Sequence, residues 1–167
     1  MDTIRLILPH FRERKSGTII NISSGAGRFT LPLISLYSAS KFALEGFSEA
    51  LSFELSTLNI MVKIVEPGGT TTNFNNVSGN RMADKLSIPD YDPLLAAAGK
   101  MFAQMSGLTL ATAEQVADVI YEAATDESNK LRYIVGNEDF KSRINARQTM
   151  QDEDYLAEIR KGYTQYL

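Results

Sequence analysis

Tyr37 and Lys41 stand four residues apart in the stretch YSASK, and that pair of residue types at that spacing can move a proton. A phenol with a pKa of about 10 is a poor acid or base at neutral pH, so catalytic use requires its phenolate to be stabilised. A lysine at i+4 projects from the same helical face, and its positive charge lowers the proton affinity of the tyrosine. With seven tyrosines and eight lysines in 167 residues, the same spacing also arises by chance, as ordinary decoration of a helix surface. The pair alone supports both readings.

Two neighbouring segments bear on the choice. Ser23 and Ser24 end the apolar run TIINIS, and Pro67-Gly68-Gly69-Thr70-Thr71-Thr72 ends the run IMVKIV. In parallel α/β sheets ligands bind outside the carboxyl ends of strands, and both of these ends would face the same side as Tyr37. Ser24 at such an end either caps the turn through its hydroxyl or holds a substrate oxygen. Other chemistries have little to work with. There is no cysteine, hence no disulfide, thiolate metal site or cysteine nucleophile. The single histidine, His10, follows Pro9 near a helix end and reads as a surface or capping residue, so no metal centre is expected. No glycine lies two residues before Ser24, which argues against a hydrolase nucleophile elbow.

The elements that must position these residues follow from the apolar spacing. Residues 2–14 set Ile4, Leu6, Ile7, Leu8 and Phe11 in a helical pattern ending near Arg14, with Pro9 as an expected kink. TIINIS, Thr18 to Ser23, is short, β-branched and apolar on both parities, as in a strand buried on both faces. From Tyr37 to about Leu58 the positions Phe42, Leu44, Phe47, Leu51, Phe53, Leu55 and Leu58 predict a helix. A second buried strand is expected from about Ile60 to Val65, stopped by Pro67-Gly68-Gly69. Strand, helix, strand at this spacing is a βαβ unit, and such units build parallel sheets. The predicted class is α/β, with about three strands and flanking helices.

Residues 70–110 lack clean periodicity and carry Met82, Leu86, Ile88, Tyr91, Leu94, Leu95, Met101, Phe102 and Met105 among polar residues. A connection this long reads as functional, such as a lid, and its apolar content argues against simple disorder. Thr112 with Gln115 fits a capping box, opening a helix whose inner face is Val116, Val119, Ile120 and Ala123. LRYIVG, Leu131 to Gly136, reads as a third strand, and the charged remainder as one or two amphipathic helices covering an edge or a partner. At 167 residues the chain supports one domain. A net charge of −3 gives no electrostatic case for nucleic acid or an acidic membrane. No apolar run approaches the roughly 18 residues that span a bilayer, and no signal-peptide cleavage pattern is present, so a cytoplasmic setting is expected.

Taken in order, GTIINISSGAG, YSASKFALEGFSEAL and VEPGGTTT resemble the classical short-chain dehydrogenases/reductases, at that family's usual separations. The resemblance covers nearly the whole chain, more loosely beyond residue 75. The wording of KFALEGFSEAL and VEPGG is similar to the branch that includes hydroxysteroid- and retinol-type dehydrogenases. It implies the C-terminal part of a Rossmann-like, doubly wound parallel sheet, as one domain over residues 1–167. It also implies an NAD(P)-dependent oxidoreductase interconverting a secondary alcohol and a ketone or aldehyde.

Carried over by position, the resemblance makes Tyr37 the proton donor to the carbonyl, or acceptor from the alcohol. Lys41 would lower its pKa and hydrogen-bond the nicotinamide ribose, and Ser24 would hold the substrate oxygen, Ser23 being on the wrong parity. Pro67 and Gly68 would turn the chain beside the nicotinamide. Thr72 matches the carboxamide-binding threonine of the family's PGxxxT pattern, and Thr70 completes the cofactor set. The hydride comes from the cofactor, so the protein supplies alignment and electrostatics. Residues 70–110 match the family's substrate loop, which implies an apolar pocket and a lipophilic substrate. Helices 2–14 and 37–58 resemble the family's dimer-forming pair, implying a homodimer or homotetramer, with Phe42, Leu44, Phe47 and Leu51 shared between the intramolecular core and the partner.

The departures bear on activity. The family opens with a strand and a TGxxxGxG loop that cradles pyrophosphate at a helix N-terminus, and this sequence has no such pattern. Gly25-Ala26-Gly27 leads into RFTLPLI, with Pro32, and reads as a tight turn. The family's NNAG segment and active-site asparagine are also absent. The expectation is therefore the catalytic half of an enzyme, with TIINIS as an exposed apolar edge, poor stability and little cofactor affinity. A second reading is a non-catalytic chain that keeps the dimerisation helices and acts through association. Preference for NAD or NADP is not readable, because the residues that meet the adenosine ribose are not in this sequence.

Overall fold

Parallel pairing of three strands organises the chain, which the computed structural model describes over residues 1–74, 77–78, 88–106 and 109–167. β1 (Gly17–Ile22) pairs with β2 (Ile60–Pro67) from Gly17 opposite Ile60 to Ile22 opposite Val65. β2 pairs with β3 (Arg132–Val135) from Ile64 opposite Arg132 to Pro67 opposite Val135. The helices are α1 (Asp2–Arg14), α2 (Ser35–Leu55), α3 (Asp92–Ser106), α4 (Ala113–Thr125), α5 (Glu138–Thr149) and α6 (Asp152–Thr164).

Strand alternation sends Ile19, Ile60 and Val62 toward α1 and α2, where they meet Leu51, Leu55, Leu8 and Phe11. Ile20 and Val65 turn to the other face, against Val116, Val119 and Ala123 of α4. Ile64 and Val65 are fully buried. Coverage on both faces explains why the β2 sequence is apolar at successive positions.

The capping box at Thr112 forms as expected: Thr112 Oγ1 accepts from the Gln115 amide at 3.2 Å, and Gln115 Oε1 accepts from the Thr112 amide at 2.9 Å. α1 runs through Pro9 and ends at Lys15, which takes a left-handed φ of 50°. The segment 92–106 is helical where the sequence shows no period. Its buried residues are Ala97, Ala98 and Met101, while Leu95 is exposed, so small side chains carry the inner face. The signal that finds this helix is Asp92-Pro93, since proline suits a first helical turn. Met82 and Leu86 lie outside the described residues. α5 and α6 are the two C-terminal amphipathic helices, and Ile144 and Tyr155 pack from them onto Phe29.

Two contacts tie helices to this sheet. The chain leaves β1 through Ser23 and Ser24 into a 3-10 turn, Gly25–Gly27, on which α2 lies. A Cβ at Gly27 would stand 2.8 Å from Glu45 Cγ and 3.0 Å from both the Lys41 carbonyl and the Ser23 hydroxyl. On the α4 face, the fully buried Lys63 ammonium donates to Asp126. The same carboxylate accepts from the Tyr133 hydroxyl at 2.5 Å and from Ser128 Oγ at 2.8 Å.

Gly27→Ala is expected to overpack the α2 contact and lower stability by about 1–3 kcal/mol, read as a drop in urea midpoint at unchanged slope. An unchanged midpoint would mean that α2 does not approach the turn this closely. Hydrogen bonds from Lys63 and Tyr133 hold Asp126 well below the usual carboxylate range. The stability this contributes is present above the unfolded carboxylate pKa and lost as pH falls through the depressed folded value. Asp126→Asn should therefore lower the urea midpoint at neutral pH and flatten its decline below about pH 5. Equal acid slopes in the two proteins would remove Asp126 from that role.

Candidate active site

The candidate residues gather where β1 and β2 end. Ser24 takes an extended backbone, φ −170° and ψ 163°, and its Oγ accepts from the Ala26 amide at 3.2 Å, the turn-capping arrangement. Ser23 is buried, whereas Ser24 is half-buried. Tyr37 lies in the first turn of α2 and Lys41 one turn later. Lys41 Nζ is 5.8 Å from the centroid of the Tyr37 ring and donates to the Ile22 carbonyl at 3.1 Å. That bond anchors the ammonium over the last residue of β1. Burial lowers the pKa of Lys41, and the charge of Glu45, one turn further along α2, opposes the shift.

The Tyr37 ring stands 5.9 Å from that of Phe74, tilted by 48°, so the chain after Thr72 returns to α2. Pro67 closes β2, and the Gly68 amide donates to the Val135 carbonyl at 2.8 Å. Thr70 Oγ1 donates to the Gly68 carbonyl at 3.1 Å, and Thr72 Oγ1 accepts from the Phe74 amide at 3.4 Å. A parallel bridge from Thr70 to Ala111 steadies this turn. Tyr37 and Lys41 are thus joined to the end of β1 and to Phe74, whereas Ser24, Thr70 and Thr72 engage their hydroxyls locally. No hydrogen bond links Ser24 to Tyr37 among the described residues.

Sequence reasoning missed the charges beneath this surface. Glu66, fully buried just before Pro67, accepts from Arg28 Nη1 at 2.7 Å and lies 3.3 Å from Arg132 Nε. Arg132 also pairs with Glu45 at 3.0 Å and with Glu49 at 2.5 Å. Burial pushes the Glu66 pKa up, and the hydrogen bond from Arg28 resists it. Glu45 and Arg132 are 87 positions apart, beyond any local pattern. The available signal was a lone acid closing an apolar strand, which requires a counter-charge when buried.

Phe140 was missed as well. Its ring covers three strand-end glycines: a Cβ at Gly25, Gly68 or Gly136 would meet it at 2.2, 2.9 or 2.4 Å. The Asn137 side chain caps α5 by accepting from the Phe140 amide at 2.8 Å, which fixes where the ring projects. Phe140 also walls a cavity of about 540 Å³, together with Phe102, Met105 and Leu110 and with the ion pair Asp139–Arg143. The cavity borders Gly69, but Ser24, Tyr37 and Lys41 are not among its walls. Phe140 connects the two regions through Gly25 and Gly68, and Phe29, which also walls the cavity, approaches Gly25 as well.

The chain is similar to proteins of known family and fold. A family model described as short chain dehydrogenase matches residues 1–83. An uncharacterized oxidoreductase of Schizosaccharomyces pombe is 42% identical over 142 residues, covering 82% of this chain and 56% of that protein. A 3-ketodihydrosphingosine reductase of Bacteroides thetaiotaomicron is 46% identical over 76 residues, 46% of this chain and 28% of that protein. The crystal structure of a short-chain dehydrogenase from Streptomyces avermitilis superposes with a TM-score of 0.66 at 29% identity, covering 95% of this chain and 54% of that one. A short chain dehydrogenase from Mycobacterium paratuberculosis bound to NAD gives 0.61 at 27% identity, covering 83% and 51%. The chain spans about half the length of the curated relatives and structures that it matches along most of its own length. On the matching family model, the similar oxidoreductase and the shared fold, the chain belongs to the short-chain dehydrogenase family.

Proposed function

We propose that this chain carries the Ser-Tyr-Lys site of an NAD(P)-dependent oxidoreductase that interconverts a secondary alcohol and a ketone or aldehyde. The observation that carries the reading is the Lys41 ammonium, anchored on the Ile22 carbonyl at 3.1 Å and 5.8 Å from the Tyr37 ring. A cation held there stands beside the Tyr37 ring, and a lysine with one donor engaged keeps two for a ribose diol. The donor set therefore fits the nicotinamide riboside end of a dinucleotide. The pyrophosphate finds no matching cradle among the described residues, since the turn Gly25–Gly27 is buried beneath α2 and Phe140. The NAD-bound relative of known structure supports a nicotinamide cofactor without choosing NAD over NADP.

In this reading Tyr37 gives its proton to the carbonyl oxygen in reduction and takes one from the alcohol in oxidation. Ser24 turns its hydroxyl from the Ala26 amide toward the same oxygen. Lys41 reaches toward the ribose beside Tyr37, while Pro67, Gly68, Thr70 and Thr72 shape the nicotinamide side. The cofactor, when bound, supplies or accepts the hydride. The apolar side chains Phe29, Phe102, Met105 and Leu110 in the cavity beside Phe140, and a relative named for a sphingoid ketone, favour a lipophilic substrate. Residues 70–110 would then act as a substrate loop or lid. No helix among the described residues is long and apolar enough to cross a membrane, and a cytoplasmic setting belongs to this proposal.

A second reading rests on exposed apolar side chains of α1 and α2: Leu6 at 76%, Leu36 at 87% and Phe53 at 70%. These would form a homodimer or homotetramer, in which a chain without turnover acts through association. Calorimetric titration of the folded chain with NADH and NADPH separates the two: binding heat favours the enzyme, and its absence favours association. In a coupled assay on lipophilic secondary alcohols, Tyr37→Phe is expected to cut kcat by about 10²–10⁴-fold with nucleotide affinity nearly unchanged. Retention of full turnover by this variant would end the assignment of Tyr37. Lys41→Met should weaken both nucleotide binding and turnover; intact affinity would show that Lys41 does not touch the ribose.

A further inference from the structure

The charges around Glu45 do not balance without Lys41. Arg28 approaches from the turn after β1, Arg132 from β3, Glu66 from β2, and Glu45 and Glu49 from α2. Fully ionised, these are three carboxylates against two guanidiniums, which leaves one surplus negative charge. Glu45 itself is buried, with Oε2 held by Arg132 and Oε1 without a hydrogen-bond partner among the described residues. It lies four residues after Lys41 on the same helix, so the two side chains share a face. Tyr37, one turn before Lys41, completes the line of titratable groups on that face.

We propose that Glu45, clamped by Arg132 one helical turn beyond Lys41, is a positioning residue that keeps Lys41 charged at the end of β1. The geometry divides the work between two contacts. The Ile22 carbonyl fixes where the ammonium sits, and it carries no net charge. Glu45, one helical turn along the same face, supplies a charge that opposes part of the loss of solvation on burial. Arg132 holds the Glu45 carboxylate to the sheet so that it cannot swing onto Lys41 and displace it from the strand end. Glu49 shares Arg132 but sits two turns from Lys41, and its charge is half exposed and screened. The consequence for catalysis rests on the reading of Tyr37 and Lys41 given above; the electrostatic link does not.

The test reads Lys41 directly, by carbon-13 NMR titration of lysines labelled by reductive methylation, with the signal assigned through Lys41→Arg. Glu45→Gln is expected to move the Lys41 titration to lower pH, and Glu45→Asp to restore it. Glu49→Gln, the same charge change on the same arginine, should leave it in place. If Glu45→Gln does not fold, Arg132→Gln serves in its stead, because it removes a positive charge and should move Lys41 to higher pH. An unmoved Lys41 signal in either folded variant overturns the proposal. Absence of turnover or of nucleotide binding would count against the enzyme reading while leaving this titration intact. Where turnover is present, Glu45→Gln should shift the pH profile of kcat with little change in KM, which loss of packing alone would not produce.

Discussion

A carboxylate with no exposed surface sits at the carboxyl end of the central strand, and the surrounding structure is arranged to compensate it. Removing an ion from water costs several kcal/mol even after relaxation, so Glu66 can remain there only with counter-charges in good geometry. Arg28 and Arg132 provide them, from opposite sides of β2. Arg28 belongs to the turn that follows Ser24, and Arg132 opens β3. Through Arg132 the same charge reaches Glu45 and Glu49 of α2. One buried group thus links the serine turn, the helix of Tyr37 and Lys41, and all three strands.

Close packing sharpens what the charges define. α2 approaches the Gly25–Gly27 turn until no Cβ fits at Gly27, and Phe140 approaches three strand ends until none fits at Gly25, Gly68 or Gly136. Backbone is therefore what the strand ends present. Parallel strands all finish on the same side, so the groups suited to proton transfer and those lining the cavity converge there without any one segment containing both. On the α4 face Lys63, Asp126, Tyr133 and Ser128 form a part-buried polar cluster that, among the described residues, has no hydrogen bond to the strand-end groups. That cluster holds the loop after α4 to the sheet.

Much of the architecture was legible because it depends on local pattern. β-Branched runs gave β1 and β2, the helical period gave α1, α2 and α4, and Thr112 with Gln115 marked a helix start that forms as drawn. α3 escaped because alanines fill its inner face, and small side chains carry little hydrophobic signal. Of the site, Tyr37 and Lys41 were visible through their spacing, since i and i+4 on a helix are neighbours whatever the rest of the fold does.

Residue types and short spacings were enough to determine a parallel α/β unit, a Tyr–Lys face on a helix, and serine and glycine at strand ends. Tertiary structure alone decided that Lys41 rests on the Ile22 carbonyl, that Phe140 covers three glycines, and that Glu66 draws Arg28 and Arg132 to itself. The reason is one of range. Hydrophobic period and capping act between residues a few positions apart, whereas the pairing of buried charges depends on which distant positions the sheet brings within about 3–4 Å, and no linear spacing encodes that.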